Sequence, residues 1–302
     1  MTPLQQYVAE EIAVDHADGL MSRREALRRL GLLGVGLTAA TALLAACSSD
    51  SDSNTEASAT SSPDGSADAA PPGLDTALPT EAITFAGPTA ELQAAWAAAA
   101  DPRGAVLVVH ENKGLTDHIR SVAGRFAGVG YSALAIDLLS EEGGTATFAD
   151  PAEATAALTK ATPERLVADM KAAIDELQRR VPGTKVGAIG FCMGGALVWR
   201  LLGSGEQRLS AAAPFYGPIP DGSDLTGANA AVLAVYAELD ARVNASRDAA
   251  TAALDKAGLT NEVVTVAGAD HAFFNDTGQR YDPRAAAQIW PKVLDWYGKY
   301  LS

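Results

Sequence analysis

Short apolar runs alternate with stretches of helical periodicity from residue 104 to the end of the chain. GAVLVVH (104–110) is the first, a continuous run rich in β-branched residues, as suits a strand buried on both faces. SALAID (132–137), KVGAIG (185–190), LSAAAPFYG (209–217), AAVLAVYAELD (230–240) and NEVVTVAGADH (261–271) continue the series. Between them lie DHIRSVAGRFAGVG (117–130), TPERLVADMKAAIDELQRRVPG (162–183), a helix from about Gly194 to Leu202 and NASRDAATAALDKAG (244–258). The stretch at 162–183 opens on Thr162 and Pro163, a good N-cap with proline at the first helical position, and stops at Pro182 and Gly183. PRAAAQIWPKVLDWYGKYL (283–301) closes the chain as a helix interrupted or bent near Pro291. This alternation predicts an α/β fold, a doubly wound and largely parallel sheet with helices on both faces. Leu138 to Ala161, rich in Gly, Thr and Ala, is assigned to no element.

The first part of the chain reads differently. SRREALRRLGLLGVGLTAATALLAAC (22–47) has a basic region, an apolar region and a small-residue cleavage site, the layout of an export signal. From Gly31 to Ala46 the apolar run covers only ~24 Å as a helix, short of the ~30 Å that spans a bilayer. Ser22-Arg23-Arg24 resembles a twin-arginine signal, although Ala26 stands where a Phe is usual, so ordinary secretion stays open. Leu44–Cys47 resembles a bacterial lipobox, which implies cleavage before Cys47 and acylation of its sulfur. Each buried acyl methylene contributes ~0.8 kcal/mol, so two or more chains anchor stably. SSDSDSNTEASATSSPDGSADAAPPG (48–73) has almost no large apolar residue and is expected to remain a disordered tether. The expected organisation is a signal over 1–46, a lipidated cysteine and linker over 47–80, and one α/β domain over 81–302. The protein is then exported and lipid-anchored to the outer face of the cell membrane.

The net charge of −14 and the lack of basic runs exclude an electrostatic footprint for nucleic acid. They also limit membrane attachment to the N-terminal lipid. Of two cysteines, Cys47 carries lipid in this reading, so Cys192 has no disulfide partner, and no metal-type cysteine cluster exists. No cofactor or metal is expected. The oligomeric state is open, with a monomer the default.

Gly190-Phe191-Cys192-Met193-Gly194 has the form G-x-C-x-G at a strand-to-helix turn. Such a turn strains the nucleophile's backbone and needs small neighbours, while the helix behind it supports a developing anion. Cysteine is also a common core residue, so a base and an acid are required to decide. A triad in the order nucleophile, acid, base is met by Asp240 and His271, each just after a strand, where open α/β sheets hold their sites. His110 and His118 are alternatives, as catalytic or as structural hydrogen-bonding residues, and Asp270 and Asp137 compete with Asp240.

VVHENKGLTDHIR, GYSALAIDLLSEEGG, IGFCMGG, FYG, AELDARV and GADHAFFN, in this order, resemble the dienelactone hydrolase family, an α/β-hydrolase branch. The resemblance covers nearly all of 81–302. It implies a carboxymethylenebutenolidase-type ester or lactone hydrolase with Cys192 as nucleophile, His271 as base then acid, and Asp240 orienting it. Glu111 matches a glutamate beside the thiol that helps generate the thiolate. The oxyanion falls to the backbone N–H groups of Met193 and Asn112, each such donor being worth ~3 kcal/mol. Where dienelactone-cleaving members carry an arginine four residues after the histidine, this chain has Asn275. Arg120, Arg242 and Arg280 are candidate cations nearby, and Tyr216, Phe273, Phe274 and Asn275 are expected pocket residues; Trp199 is expected in the core. The competing readings are a non-catalytic binding lipoprotein with this fold and a thiol redox sensor at Cys192, the latter lacking a second mature cysteine to resolve it.

Overall fold

The computed structural model describes residues 1–49 and 70–302, and no side chain of 47–49. The lipidation expected at Cys47 therefore concerns a side chain outside the described residues, as does the linker over 50–69. Two compact units emerge, Met1–Ala67 with Phe148–Thr162, and Asp68–Thr147 with Pro163–Ser302.

The larger unit is an eight-stranded sheet in the order β1-β2-β4-β3-β5-β6-β7-β8. Its strands are β1 (Glu81–Ala86), β2 (Glu91–Ala97), β3 (Gly104–Val109), β4 (Tyr131–Asp137), β5 (Val186–Phe191), β6 (Leu209–Phe215), β7 (Ala231–Ala237) and β8 (Asn261–Val266). From β4 to β8 neighbouring strands run parallel. β1 and β2 pair antiparallel and join the sheet antiparallel to β4. Every residue of β3, β4, β5 and β7 is buried, which accounts for their unbroken apolar runs.

The connections set the layers. After β3 the helix α4 (Asp117–Gly128) leads outward to β4, and α6 (Pro163–Arg180) returns across β3 to β5. Right-handed crossovers in opposite directions place their helices on opposite faces. α7 (Met193–Gly203) follows β5 and packs with α6. On the other face α4 meets the C-terminal helix α10 (Pro283–Tyr300), with Phe126 4.9 Å from Trp290 and 5.7 Å from Tyr297. α10 continues through Pro291 rather than ending there. Between β7 and β8 lie α8 (Ala241–Asn244) and α9 (Arg247–Ala257).

The chain leaves β3 in one direction and re-enters beside it as β5, so the sheet's order switches between these strands. Loops at the carboxyl ends of the two flank a crevice, the usual ligand position in open α/β sheets.

Residues 74–78 run along α4: the Leu78 N–H donates to the Gly124 carbonyl at 3.0 Å. A Cβ on Gly128 would stand 2.0 Å from the Thr76 carbonyl oxygen, which explains why glycine lies beneath this segment. Backbone pairing orders these residues despite their sparse apolar content.

The smaller unit contains α1 (Pro3–Ala17), α2 (Arg23–Leu32), α3 (Leu37–Ser49) and α5 (Pro151–Leu158). α1 opens on a capping box formed by Thr2 and Gln5. It packs with α2 and α3, while Arg28 of α2 pairs with Asp150, the N-cap of α5, at 2.6 Å. Thus α5, in the stretch assigned to no element, groups with the N-terminal helices.

Candidate active site

Cys192 lies between β5 and α7 with φ 55° and ψ −118°, a left-handed conformation that costs a non-glycine residue about 1–3 kcal/mol. Two neighbours make the turn possible. A Cβ on Gly190 would meet the Gly194 carbonyl oxygen at 2.2 Å, and one on Gly194 would meet the Val109 and His110 carbonyl oxygens at 2.4 and 2.5 Å. The Cys192 N–H donates to Phe215 O at 3.1 Å, so β6 holds the turn from the other side. The cysteine is 2% exposed.

Asp240 is the N-cap of α8, where its Oδ1 accepts the Val243 N–H at 3.1 Å. Its Oδ2 stands 2.5 Å from Nδ1 of His271, which lies in the loop after β8. A ring nitrogen of His271 and the Cys192 sulfur lie within 4.8 Å of each other. Burial works to lower the His271 pKa, but the Cys192 charge and the Asp240 hydrogen bond outweigh it and hold the imidazole well above its usual range. Burial likewise works to raise Asp240, and His271 overcomes it, keeping the carboxylate below its usual range. The structure thus brings Cys192, His271 and Asp240 together.

Glu111 follows β3 across the crevice and is 7% exposed. Its Oε2 accepts from Asn275 Nδ2 at 2.6 Å, and its Oε1 is buried without a hydrogen bond. The amide orientation of Asn275 is fixed by Thr277, whose N–H and hydroxyl donate to Oδ1 at 3.0 and 2.8 Å. The nitrogen is then left to face Glu111. Met193 is the first residue of α7, so its N–H lies outside the helix's own ladder. Asn112 follows Glu111 in the loop after β3 and is half-buried.

The remaining candidates fall into place around these groups. Tyr216, with φ 35°, is fully buried with its ring 5.3 Å from that of His271; burial, then the charges of Glu111 and Cys192, push its phenol well up. Phe273 and Phe274 are also fully buried, Phe274 stacked on Phe191 at 5.6 Å and Phe273 5.5 Å from Tyr216. Trp199 is 1% exposed and donates to Gly217 O at 3.1 Å, a core position.

His110 is structural. Its Nε2 accepts the Leu138 N–H at 3.1 Å, so Nδ1 carries the proton and donates to Glu111 O at 2.6 Å. Burial holds its pKa down, in keeping with a neutral ring. Asp137 receives the N–H groups of Leu139 and Thr145 at 3.0 and 2.7 Å, bracing the turn after β4. Asp270 accepts the His271 backbone N–H at 2.6 Å and pairs with Arg280 at 2.9 Å, away from the imidazole. Arg242 is close enough to Asp240 to help keep its carboxylate ionised. His118 joins neither cysteine nor Asp240; its Nδ1 bonds Asp276, which also pairs with Arg125 at 2.7 Å. Sequence spacing gave no sign of this cluster, because Asp276 lies more than 150 positions from both His118 and Arg125.

Residues 92–301 match the model of the Dienelactone hydrolase family. A protein of Escherichia coli O157:H7, provisionally named carboxymethylenebutenolidase, is 30% identical over 212 residues, covering 66% of this chain and 78% of that protein. The crystal structure of a protein provisionally identified as a dienelactone hydrolase, from Klebsiella pneumoniae subsp. pneumoniae MGH 78578, superposes with a TM-score of 0.65 at 26% identity. It covers 73% of this chain and 98% of that one. The dienelactone hydrolase-like promiscuous phosphotriesterase P91 from metagenomic libraries gives a TM-score of 0.60 at 25% identity, covering 75% and 100%.

Proposed function

This chain belongs to the dienelactone hydrolase family, and from that premise we propose that it cleaves small carboxylic esters or lactones through Cys192, His271 and Asp240. The observation that carries this reading is the 2.5 Å bond between Asp240 and His271 beside a thiol on a strained turn. The Cys192 charge and the Asp240 hydrogen bond, which raise the His271 pKa, are the interactions a thiolate–imidazolium pair would use.

In this mechanism the Cys192 sulfur attacks the acyl carbon, and the carbonyl electrons move to oxygen, which the N–H groups of Met193 and Asn112 receive. The tetrahedral adduct collapses, the carbon–oxygen bond breaks, and the leaving alkoxide takes the proton of His271. A thioester remains. Water then attacks it while giving a proton to His271; the carbon–sulfur bond breaks and the sulfur leaves as thiolate. Ester and water have become acid and alcohol, and the ion pair is restored. Glu111 helps generate the thiolate when substrate displaces it, as the family resemblance implies, and water activated by His271 needs no metal or organic cofactor.

Asn275 bonds Glu111 where a cation would otherwise be offered to a substrate carboxylate. This favours esters and lactones other than dienelactone itself. Export and attachment through lipid on Cys47 belong to the same reading. Arg23 and Arg24 are exposed at the start of α2, and among the described residues no helix is long and apolar enough to cross a membrane.

The test is brief mixing of the full chain with p-nitrophenyl acetate, followed by mass spectrometry of the peptide containing Cys192. Acetyl on Cys192, and turnover abolished in Cys192→Ala, support the hydrolase. Undiminished turnover in Cys192→Ala rejects it, and a folded wild-type chain that cleaves no ester, thioester or lactone favours the binding or sensing alternatives.

A further inference from the structure

Asp276 stands one residue beyond Asn275 and five beyond His271, in a loop of turns without helix or strand. That loop carries its own strain: Ala272, next to His271, has φ 61°. Such a conformation persists only where the surroundings over-determine it. Local turn bonds supply part of the restraint, Asn275 N to Ala272 O at 2.9 Å and Gly278 N to Asn275 O at 2.9 Å. A longer-range tie is supplied by α4.

His118 and Arg125 are seven positions apart on α4, two turns, and therefore share one face. Both side chains are fully buried, and both reach the Asp276 carboxylate, His118 at Oδ1 and Arg125 at Oδ2. Arg125 is steadied by Ser121, whose Oγ accepts from Nε at 3.1 Å. The His118 ring also lies edge-on to Phe191 at 6.2 Å and to Phe274 at 6.4 Å. Phe191 precedes the nucleophile, and Phe274 belongs to the loop. One side chain therefore touches a neighbour of Cys192 and the segment carrying His271.

Replacing a buried ion pair by well-packed apolar residues is often neutral for stability, so the cluster's presence is weakly explained by stability alone. Its geometry offers a better account. α4 follows directly from the loop bearing Glu111, and Asp276 ties the loop bearing His271 and Asn275 to that helix. We propose that Asp276, gripped by His118 and Arg125, is a positioning residue that sets the spacing of His271 and Glu111 about the Cys192 sulfur. This rests on the hydrolase reading above and assigns to the reaction three residues outside the triad.

The test compares full-length wild type, Asp276→Asn and His118→Phe. The second keeps the Arg125–Asp276 pair and an aromatic ring between Phe191 and Phe274, so it preserves the fold if the first does not. Thermal melting, kcat and KM for p-nitrophenyl acetate, and the pH profile of Cys192 alkylation by iodoacetamide are measured on each folded variant. Misplacing a reacting group predicts a kcat loss of about 10-fold or more, with KM within about 2-fold and a displaced alkylation profile. A lower melting temperature with wild-type kcat and an unmoved alkylation profile is the signature of a merely structural cluster and overturns the proposal. Should the wild type cleave no ester, the hydrolase reading fails on its own, and the alkylation profile still decides the anchor: displaced in the variants it stands, unmoved it falls.

Discussion

The carboxylate of Asp240 meets Nδ1 of His271 at 2.5 Å across 31 positions of sequence, and both side chains are nearly excluded from water. An acceptor on Nδ1 leaves the other ring nitrogen to exchange protons with sulfur and substrate. Asp240→Asn keeps an oxygen for the Val243 N–H and hence the cap of α8, but an amide nitrogen facing Nδ1 favours the wrong tautomer. The expected outcome is a kcat loss of about 10⁴-fold with an unchanged circular dichroism spectrum. Retention of more than about a tenth of the activity would assign the orienting role elsewhere.

The same pair fixes how stability varies with pH. Folding raises the His271 pKa well above 6.5, so its contribution is fully present below that value and is lost as pH rises through the folded value. Folding lowers Asp240 below 3.8, so its contribution is present above that value and is lost as pH falls through the lowered one. The melting-temperature difference between wild type and His271→Ala should therefore be widest between these limits and shrink on both sides. In Cys192→Ser the sulfur charge that raises His271 is gone, and the alkaline decline should move to lower pH. Thermal melts of the three proteins across the pH range check both limbs; a pH-independent difference contradicts the pairing.

Much of this architecture was legible because its strands are buried on both faces. The apolar runs from Gly104 to Val266 found β3 to β8, and the nucleophile–acid–base order picked out the residues that meet beside the thiol. β1 escaped notice because it is largely exposed, with only Phe85 buried, and β2 because its mostly buried residues, interrupted by Gln93, are chiefly alanine rather than a run of β-branched residues. The α5 segment was hidden by its Ala- and Thr-rich composition, which offers little hydrophobic periodicity. His110 and Asp137 sit at strand ends like catalytic residues, and only their backbone partners reveal a bracing role. Side chains that act through backbone groups or through distant partners, as Asp276 does, leave no spacing to read.

The start of α7 tolerates no side chain at Gly194. Its Cβ would stand 2.4 and 2.5 Å from two backbone oxygens of β3 and its following residue, neither of which can swing aside. Gly194→Ala should therefore destabilise the protein by about 1–3 kcal/mol or more, even though alanine favours helices. Urea denaturation measures the change. Stability equal to wild type would mean that the contact between α7 and the end of β3 is looser than this spacing.

Asn275 faces Glu111 with its nitrogen because Thr277 occupies its oxygen. Asn275→Asp keeps the shape and replaces that donor with an acceptor 2.6 Å from a buried carboxylate oxygen. Two carboxylates at such a distance cannot both ionise, and a proton must be shared between them. The shared proton raises an apparent pKa of the pair, so the defect should be mild at acid pH, where the proton is retained, and grow as pH rises and the like charges appear. Thr277→Val removes one of the two donors to Oδ1 without adding charge and should produce a smaller, pH-independent loss. Profiles of kcat/KM against pH for the two variants separate these outcomes. A uniform loss in Asn275→Asp at every pH would show that the contact with Glu111 is not maintained during turnover.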